Sequence, residues 1–373
     1  MLRTRFVIAM SLATVAGAMI CALAQRAPSS GRLPLDSVRS LGAPRRFRNL
    51  TLFPVYNAAA RPANTYLTLD EGLHARRVKV REAQGGGDVN TLYVSNTSAK
   101  PLYLMAGEVV LGGQQDRCLA KDTIISPGKK GVPITVFCVE HGRWTGQAVF
   151  DASAQTLASA DIRKSAQEGE FLAERASTPP ANGMLAHQTR IPSASIGRAQ
   201  EEVWNKVAQK NQRFKAAPES GTYREVLNLS GGDARQSIAP YLKALAGSLP
   251  PDPHLVGAVA AVNGKVVAAD IFGDPALFHK LWPKLLRSYA ADAAENAANA
   301  PHAHPAVTAA QARRFLLAAA DANSKIANRS TVSTTLRLES RDAVSYRLIP
   351  AGRAAGDFFG GRGGTVHEST LGK

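Results

Sequence analysis

The stretch from Leu255 to Gly273, LVGAVAAVNGKVVAADIFG, most constrains what this chain folds into. Two apolar runs flank the pair Asn263-Gly264. An Asn-Gly pair between β-type runs is the strongest short hairpin signal, because a two-residue type I′ turn needs two residues that tolerate positive φ angles. The runs are apolar almost throughout, as strands inside a core are. The sequence therefore predicts a buried β-hairpin here.

Short β-type runs also fill the N-terminal half. They are rich in Val, Leu, Tyr and Thr and are separated by Gly, Asn and Pro, at residues 50–56, 74–82, 90–96, 100–112 and 131–140. Strand patterning returns in the C-terminal tail and predicts strands that complete the sheet begun by the N-terminal half. This spacing favours a mainly antiparallel, sandwich-like sheet.

Helical patterns occupy the middle and C-terminal parts. Asp274 and Pro275 form a helix start, and Pro283 is expected to kink that helix or begin a second one. Thr308 and Gln311 have the spacing of a capping box. The Ala/Ser/Gln-rich stretch at residues 152–196 reads as a long loop or a poorly packed helix. We predict an α+β fold in which these helices pack on the sheet.

The N-terminus has the pattern of a secretory signal peptide. Arg3 and Arg5 precede an apolar run, and Ala22-Leu23-Ala24 gives an A-x-A cleavage signal, so residues 1–24 are the expected signal. An uncleaved anchor is the alternative. We expect a linker at residues 25–45 and one domain at residues 46–373, with two domains divided near Ser195 as the alternative. A periplasmic or secreted location follows, with no membrane span after cleavage.

The formal net charge of +16 makes this a basic protein. Cations outnumber acids in both parts of the chain. Such an even spread indicates general attraction to anionic surfaces or ligands, and it does not favour a nucleic-acid partner. Simple solubility explains the charge equally well.

Two cysteines, Cys118 and Cys138, remain after signal cleavage. In an oxidising compartment they permit one disulfide. Two buried free thiols fit the sequence equally well, because Cys is among the most buried residue types.

Polar groups follow two of the predicted strands. In LYLMAGEVVLGGQQDRCLAKD, residues 102–122, an apolar strand gives way to charged and amide side chains around glycines, and CVEHGRW, residues 138–144, repeats the pattern. If the strand ends converge, they form a site with carboxylates as catalytic bases and with arginines, an amide and an indole as ligand contacts. The catalytic candidates are Glu108, Asp116 and Glu140, and the ligand-binding candidates are Gln114, Arg117, Arg143 and Trp144. The alternative is that these charges form ion pairs that shape turns.

Other motifs add little. G-x-S-x-G, H-E-x-x-H, Walker and G-x-G-x-x-G patterns do not occur in the sequence, so it names no cofactor. His302 and His304 read as a solvated loop and not as a metal site, and we predict no metal ligands. His141 and His367 are expected to be structural histidines with satisfied hydrogen bonds.

GEVVLGGQQDR, VPITVFCVEHGRW and the block from Val256 to Ala293 together resemble a bacterial family, that of the ARG and rhodanese-phosphatase-superfamily-associated protein domain. The resemblance runs from about Arg46 to the C-terminus. The family name implies an association with the metabolism of NAD and ADP-ribose derivatives, and a signal peptide departs from that cytosolic role. We therefore expect an exported protein that recognises a small polar, anionic ligand, phosphate-like or ADP-ribose-like, with hydrolysis as an open option. The alternative is a non-catalytic structural or protein-interaction module of the periplasm.

Overall fold

The structure is a computed structural model of the chain, and it describes residues 33–83, 89–143, 145–146, 150–151, 156–177, 193–249, 251–297, 305–320, 324–351 and 365–373. The strands are β1 (Leu33–Pro34), β2 (Arg39–Leu41), β3 (Arg45–Phe47), β4 (Leu50–Asn57), β5 (Leu67–Thr68), β6 (Val78–Glu82), β7 (Thr91–Asn96), β8 (Leu102–Leu104), β9 (Val109–Gly112), β10 (Arg117–Leu119), β11 (Thr123–Ile125), β12 (Val132–Cys138), β13 (Phe150–Asp151), β14 (Leu255–Val262), β15 (Lys265–Phe272), β16 (Ser324–Arg329), β17 (Ser333–Glu339), β18 (Ala343–Pro350) and β19 (His367–Gly372). The helices are α1 (Leu69–His74), α2 (Ala160–Ser177), α3 (Ser193–Arg213), α4 (Arg224–Leu227), α5 (Ala234–Leu245), α6 (Pro275–Glu295) and α7 (Ala309–Ala320).

The predicted hairpin lies at the centre of the largest sheet. β14 and β15 pair across Asn263-Gly264, whose φ angles of 48° and 77° are the positive values that the turn requires. β14 also pairs with β4, and β15 pairs with β19, so the order is β1-β2-β4-β14-β15-β19-β18-β17-β16 with β3 beside β4. Every residue of β14 is buried. Its alternate side chains belong to two hydrophobic clusters, which explains why its apolar run shows no polar alternation.

Two further sheets carry the middle of the N-terminal half. The six-stranded sheet has the order β13-β9-β10-β12-β7-β6, and the three-stranded sheet has the order β11-β8-β5. Apolar residues of both sheets and of α1 share one hydrophobic cluster, including Leu69, Val80, Leu104, Ile125 and Val136. These two sheets therefore form the sandwich-like part of the molecule.

The largest hydrophobic cluster joins all the major parts. It contains side chains from the ten-stranded sheet, the six-stranded sheet, α2, α3, α5 and α6. Helix α6 begins where predicted, with Asp274 Oδ1 accepting a hydrogen bond from the Ala276 backbone N–H at 2.8 Å and Pro275 in the first turn. The predicted capping box at Thr308 and Gln311 is likewise present at the start of α7.

The α+β prediction is confirmed, and antiparallel pairing dominates. The tail strands join the same sheet as β4, as expected. The expectation of a single N-terminal sheet is corrected, because β5 to β13 form two sheets of their own. The apolar residues of these two sheets pack against each other in a cluster of their own, which gives them a core apart from the ten-stranded sheet.

Three local expectations differ from the structure. Residues 33–47, expected mostly as linker, pair with β4 or its neighbour and bury Leu35 and Leu41. Residues 160–177, expected as loop or loose helix, form the well-packed helix α2 with Ile162 and Phe171 buried, which agrees with the helix-favouring Ala and Glu content. Helix α6 continues through Pro283, whose side chain is exposed and so does not disturb the packing of the buried face.

The two cysteines are free and buried. In the antiparallel pair of β10 and β12, Cys138 lies opposite Arg117 while Cys118 lies opposite Phe137. Because side chains alternate along a strand, this register places the two sulfurs on opposite faces of the sheet. Burial raises the pKa of the Cys118 thiol to about 12 and that of Cys138 to about 11, so both stay protonated at neutral pH.

Some expectations fall outside the described residues. These are the signal peptide at residues 1–24, Trp144, and the pair His302 and His304.

Candidate functional site

Asp116 is the centre of a charged network at the ends of β9, β10 and β12. It is fully buried, and its carboxylate accepts hydrogen bonds from the Gly112 backbone N–H at 2.9 Å and from Thr222 Oγ1 at 2.7 Å. Arg224 adds two more, from Nε at 3.0 Å and from Nη2 at 2.6 Å. A carboxylate with this many donors is held in a fixed orientation.

Glu140 and Arg143 complete this network. The Arg143 guanidinium grips Glu140 in a bidentate manner, with Nε at 3.0 Å and Nη2 at 2.7 Å from the two carboxylate oxygens. Arg143 also donates to the backbone carbonyls of Gly113 at 2.6 Å and Gly112 at 3.2 Å. Glu140 accepts from the Asp116 backbone N–H at 2.9 Å and from Ser220 Oγ. Arg143 therefore ties the β9–β10 turn to the end of β12.

Arg117 lies beside this network, buried on the sheet. Its Nη1 donates to Gln115 Oε1 at 3.1 Å, and its Nη2 lies 3.6 Å from Glu82 Oε1. The same Glu82 oxygen accepts from the Gln114 backbone N–H at 2.9 Å. Glu82 is the last residue of β6, so these contacts join the motif to the opposite edge of the sheet.

Glu108 belongs to a different charged group. Its Oε1 is paired with Lys284 of α6, and its Oε2 accepts from the Met105 backbone N–H at 2.8 Å. Lys284 also lies 3.0 Å from Asp70 of α1. Glu108 and Lys284 are both buried. Burial raises the pKa of Glu108 above its ordinary value, against the opposing effect of Lys284.

The structure thus brings together Asp116, Glu140 and Arg143, with Arg117 and Gln114 adjoining through Gln115 and Glu82. It does not place Glu108 in that network, so the expected single cluster is wrong for this residue. The partners that complete the network, Ser220, Thr222 and Arg224, were missed by sequence reasoning, because they lie more than 70 residues from the motif they contact.

Gly107 in the first motif is required by a close approach. It has a φ of 90°, and a Cβ atom there would lie 2.4 Å from Cγ of Arg163. The side chain of Arg163 passes over this glycine on its way into the core. Gly107 therefore serves packing, and its presence in the motif does not itself indicate a ligand.

Arg163 leads to a second, fully buried charged centre. Its guanidinium donates to both oxygens of Asp270, at 3.1 Å and 2.5 Å, and to Ser369 Oγ at 2.8 Å. His367 lies between two carboxylates, with Nδ1 2.6 Å from Asp122 and Nε2 3.2 Å from Asp270. This confirms the expected structural role of His367, while its partners were not foreseen.

The charges of this centre stabilise each other. Burial alone would lower the pKa of His367, but Asp122 and Asp270 raise it to about 9, so the imidazole is a cation at neutral pH. Burial alone would raise the pKa of Asp270, but Arg163 and His367 hold it well below its ordinary value. Two cations and two carboxylates thus balance inside the core, and they connect α2, β15, β19 and the chain after β10.

A surface cleft of about 770 Å³ lies beside the Asp116 network. Gln200 fixes α3 against the end of β12. Its side-chain amide accepts a hydrogen bond from the Cys138 backbone N–H and donates one to the Cys138 carbonyl, each at 2.8 Å. One helical turn later Trp204 meets His141 edge to face, with ring centroids 4.5 Å apart. His141 and Gly142 both donate backbone hydrogen bonds to the Ser220 carbonyl, which holds the opposite wall. The lining comprises His141, Glu201, Trp204, Asn205, Ala208, Asn211, Gln212, Ala216, Ala217, Pro218 and Gly221.

Two polar atoms of the cleft side chains lack partners among the described residues. They are the indole Nε1 of Trp204 and Oδ1 of Asn211. Buried polar atoms are nearly always hydrogen-bonded, so each calls for an explanation. Nδ2 of Asn211 is used, since it donates to the Thr222 carbonyl at 3.1 Å. The side chains of the cleft wall thus hold one spare donor and one spare acceptor, both buried.

Metal and membrane features are absent from the described ranges. No group of three His, Cys, Asp or Glu side chains there is placed to hold a metal ion. No helix in this part of the chain is long and apolar enough to cross a bilayer.

Comparison with known proteins identifies a family and nothing closer. No curated protein and no solved structure matches the chain. One family model matches residues 39–369, which include both polar motifs, at residues 102–122 and 138–144. The chain belongs to the family of the ARG and Rhodanese-Phosphatase-superfamily-associated Protein domain.

Proposed function

We propose that this protein binds a small polar ligand in the cleft between α3 and the residues that follow β12. The observation that carries the proposal is the cleft itself, in which Trp204 and Asn211 have unused hydrogen-bonding atoms. Ligand sites commonly combine an aromatic wall with a few placed polar groups. The predicted segment 138–144 contributes His141 to the cleft wall. Arg143 and Glu140 of the same segment hold this wall in place.

The chemistry of the lining favours a neutral ligand that carries a ring and several polar groups. Trp204 and His141 offer aromatic surface, while Asn205, Asn211 and Gln212 offer amides that both donate and accept. The described residues that line the cleft include no Lys or Arg, and Glu201 would repel an anion. A nucleoside or a saccharide unit fits this chemistry better than a phosphate does.

A thermal-shift screen tests the proposal. Nucleosides, monosaccharides and disaccharides are compared with sugar phosphates and ADP-ribose, because a ligand that binds only the folded state raises its melting temperature. The matched variants are Gln212→Ala, in the cleft, and Gln209→Ala, an exposed residue of the same helix outside the lining. We expect a neutral compound to stabilise the wild type and Gln209→Ala, and to stabilise Gln212→Ala less.

Two results would count against a ligand in this cleft, and a third would change the kind of ligand. Equal stabilisation of both variants would place the ligand elsewhere, and no stabilisation by any compound would remove the support for a binding function. A shift given only by the phosphorylated compounds, with the same dependence on Gln212, would return the proposal to the anionic ligand expected from the sequence.

A structural role for the motif charges is the second candidate, and the occupancy of Arg143 favours it. Its donors already serve Glu140 and the carbonyls of Gly112, Gly113 and Thr145. An arginine so fully engaged braces a turn and has little left for a ligand. The two roles are compatible, because a braced turn gives the cleft a rigid wall.

A further inference from the structure

One corner of the six-stranded sheet collects three chain segments around a buried asparagine. Asn96 is fully buried, and its side-chain amide donates to the carbonyls of Lys100 at 2.8 Å and Ile125 at 3.0 Å. Its backbone N–H donates to the Lys129 carbonyl at 2.8 Å, and the next residue, Thr97, donates to the Arg77 carbonyl at 2.8 Å. Segments 74–81, 96–100 and 126–131 are therefore fixed against one another.

These three segments contain no acidic residue and bring their exposed cations together. The exposed basic side chains of this basic corner are Arg76, Arg77, Lys79, Arg81, Lys100, Lys129 and Lys130. None of the salt bridges between described residues involves any of these seven side chains. The Lys100 ammonium donates a hydrogen bond to the Asn64 carbonyl at 3.1 Å. Seven exposed cations thus stand close together with no acidic residue in their segments, so this corner carries a positive field.

The shape and composition of the basic corner select its partner. The three segments contain no Phe, Trp or Tyr on which a nucleic-acid base would stack, and Tyr93, opposite Arg81 on β7, is only partly exposed. None of the seven cations lines the cleft beside α3, the cavity beside α7 or the small cavity between α2 and β18. Unpaired Lys and Arg side chains on an open surface suit a plane of phosphate groups better than a groove or a single small anion.

We propose that the basic corner docks this protein onto an anionic phospholipid surface. The contact is peripheral, because the three segments hold no exposed large apolar side chain that would enter the bilayer. It is salt-sensitive, because exposed charges are screened beyond about 8 Å at physiological ionic strength. It is also independent of the cleft, which lies beside the end of β12, whereas the corner lies beside its start.

The test compares two triple variants with the same change in net charge. Arg77→Glu, Lys79→Glu and Lys130→Glu reverse the basic corner. Arg235→Glu, Lys243→Glu and Arg314→Glu reverse exposed cations on α5 and α7. Co-sedimentation with vesicles of phosphatidylglycerol and phosphatidylcholine measures binding, and vesicles of phosphatidylcholine alone report any contribution of the apolar N-terminal run.

We expect the wild type and the helix variant to bind anionic vesicles and to dissociate as salt is added. The corner variant should bind at least about a hundredfold more weakly, since each basic residue at the surface contributes a factor of about five. Circular dichroism melting confirms that both variants remain folded. Equal weakening of the two variants would overturn the proposal, as would a wild type that prefers phosphatidylcholine. A duplex DNA arm is run in parallel, and corner-dependent binding to DNA without corner-dependent binding to vesicles would also overturn it.

Discussion

At the scale of single residues, the charged side chains of the two motifs mostly serve each other. Asp116 and Glu140 are buried carboxylates that would be costly to leave unpaired, and arginines with backbone donors surround them. Arg143 is the residue on which both carboxylates converge. Its role as a brace leads to a direct stability prediction.

Arg143→Ala should lower the free energy of unfolding by about 3 kcal/mol, because it leaves Glu140 buried without its cation. Urea denaturation at neutral pH measures the change. Arg235→Ala is the control, since that exposed arginine should matter by less than about 0.5 kcal/mol. Equal effects of the two substitutions would show that Arg143 does not brace the turn.

His367 makes stability depend on alkaline pH. Its pKa of about 9 in the folded state lies above the value of about 6.5 for an unfolded chain. Its contribution is therefore fully present below about pH 6.5 and is lost as the pH rises through 9, which amounts to about 3 kcal/mol. The free energy of unfolding, measured by urea denaturation from about pH 6 to about pH 10, should fall more steeply for wild type than for His367→Gln. Parallel curves for the two proteins would contradict this assignment.

At the scale of elements, the alternation of side chains along a strand and the close packing of a helix against a turn fix the roles of the motif cysteines and glycine. The β10–β12 register separates the two cysteines, and α2 passes so near the turn before β9 that only glycine fits at residue 107. Each of these features gives a prediction.

Gly107→Ala should destabilise the protein by more than Gly128→Ala does. Both residues have positive φ angles, 90° and 73°, so the backbone strain is similar, about 1–3 kcal/mol. A Cβ atom at residue 107 meets Arg163, whereas one at residue 128 meets nothing within 4 Å. Melting temperatures of the two variants give the comparison, and a Gly128→Ala effect as large as that of Gly107→Ala would show that the contact with Arg163 is unimportant.

Cys118 and Cys138 should remain reduced and unreactive in the folded protein. Mass spectrometry after alkylation under non-reducing conditions should find no label on either thiol without denaturant and a label on both in guanidinium. The reason is their burial and their placement on opposite faces of the sheet. Detection of a peptide linked through both cysteines would refute the strand register.

At the scale of the whole molecule, the sequence predicted what is local and missed what is distant. The Asn263-Gly264 turn and the Asp274-Pro275 helix start are encoded by adjacent residues, so they were foreseen. The partner of Glu108, Lys284, lies 176 residues away and had no local signal. The cleft combines residues from the end of β12, from α3 and from the chain before α4, and only the fold brings them together. The amide and tryptophan side chains of α3 have the pattern of an ordinary solvent-exposed helix face. The sequence does not show that the residues after β12 lie opposite them.

The central claim is that the motif charges brace a wall and that recognition takes place in the cleft behind it. The most direct test is the melting temperature, with and without the best neutral compound of the screen, for wild type, Arg143→Ala and Trp204→Phe. We predict that Arg143→Ala melts lower than wild type but is still stabilised by the compound. Trp204→Phe should melt near wild type, because its indole N–H has no partner among the described residues, and should lose most of the stabilisation. The opposite pattern, with Arg143→Ala as stable as wild type but unresponsive and Trp204→Phe fully responsive, would show that the arginine binds the ligand and would contradict the account.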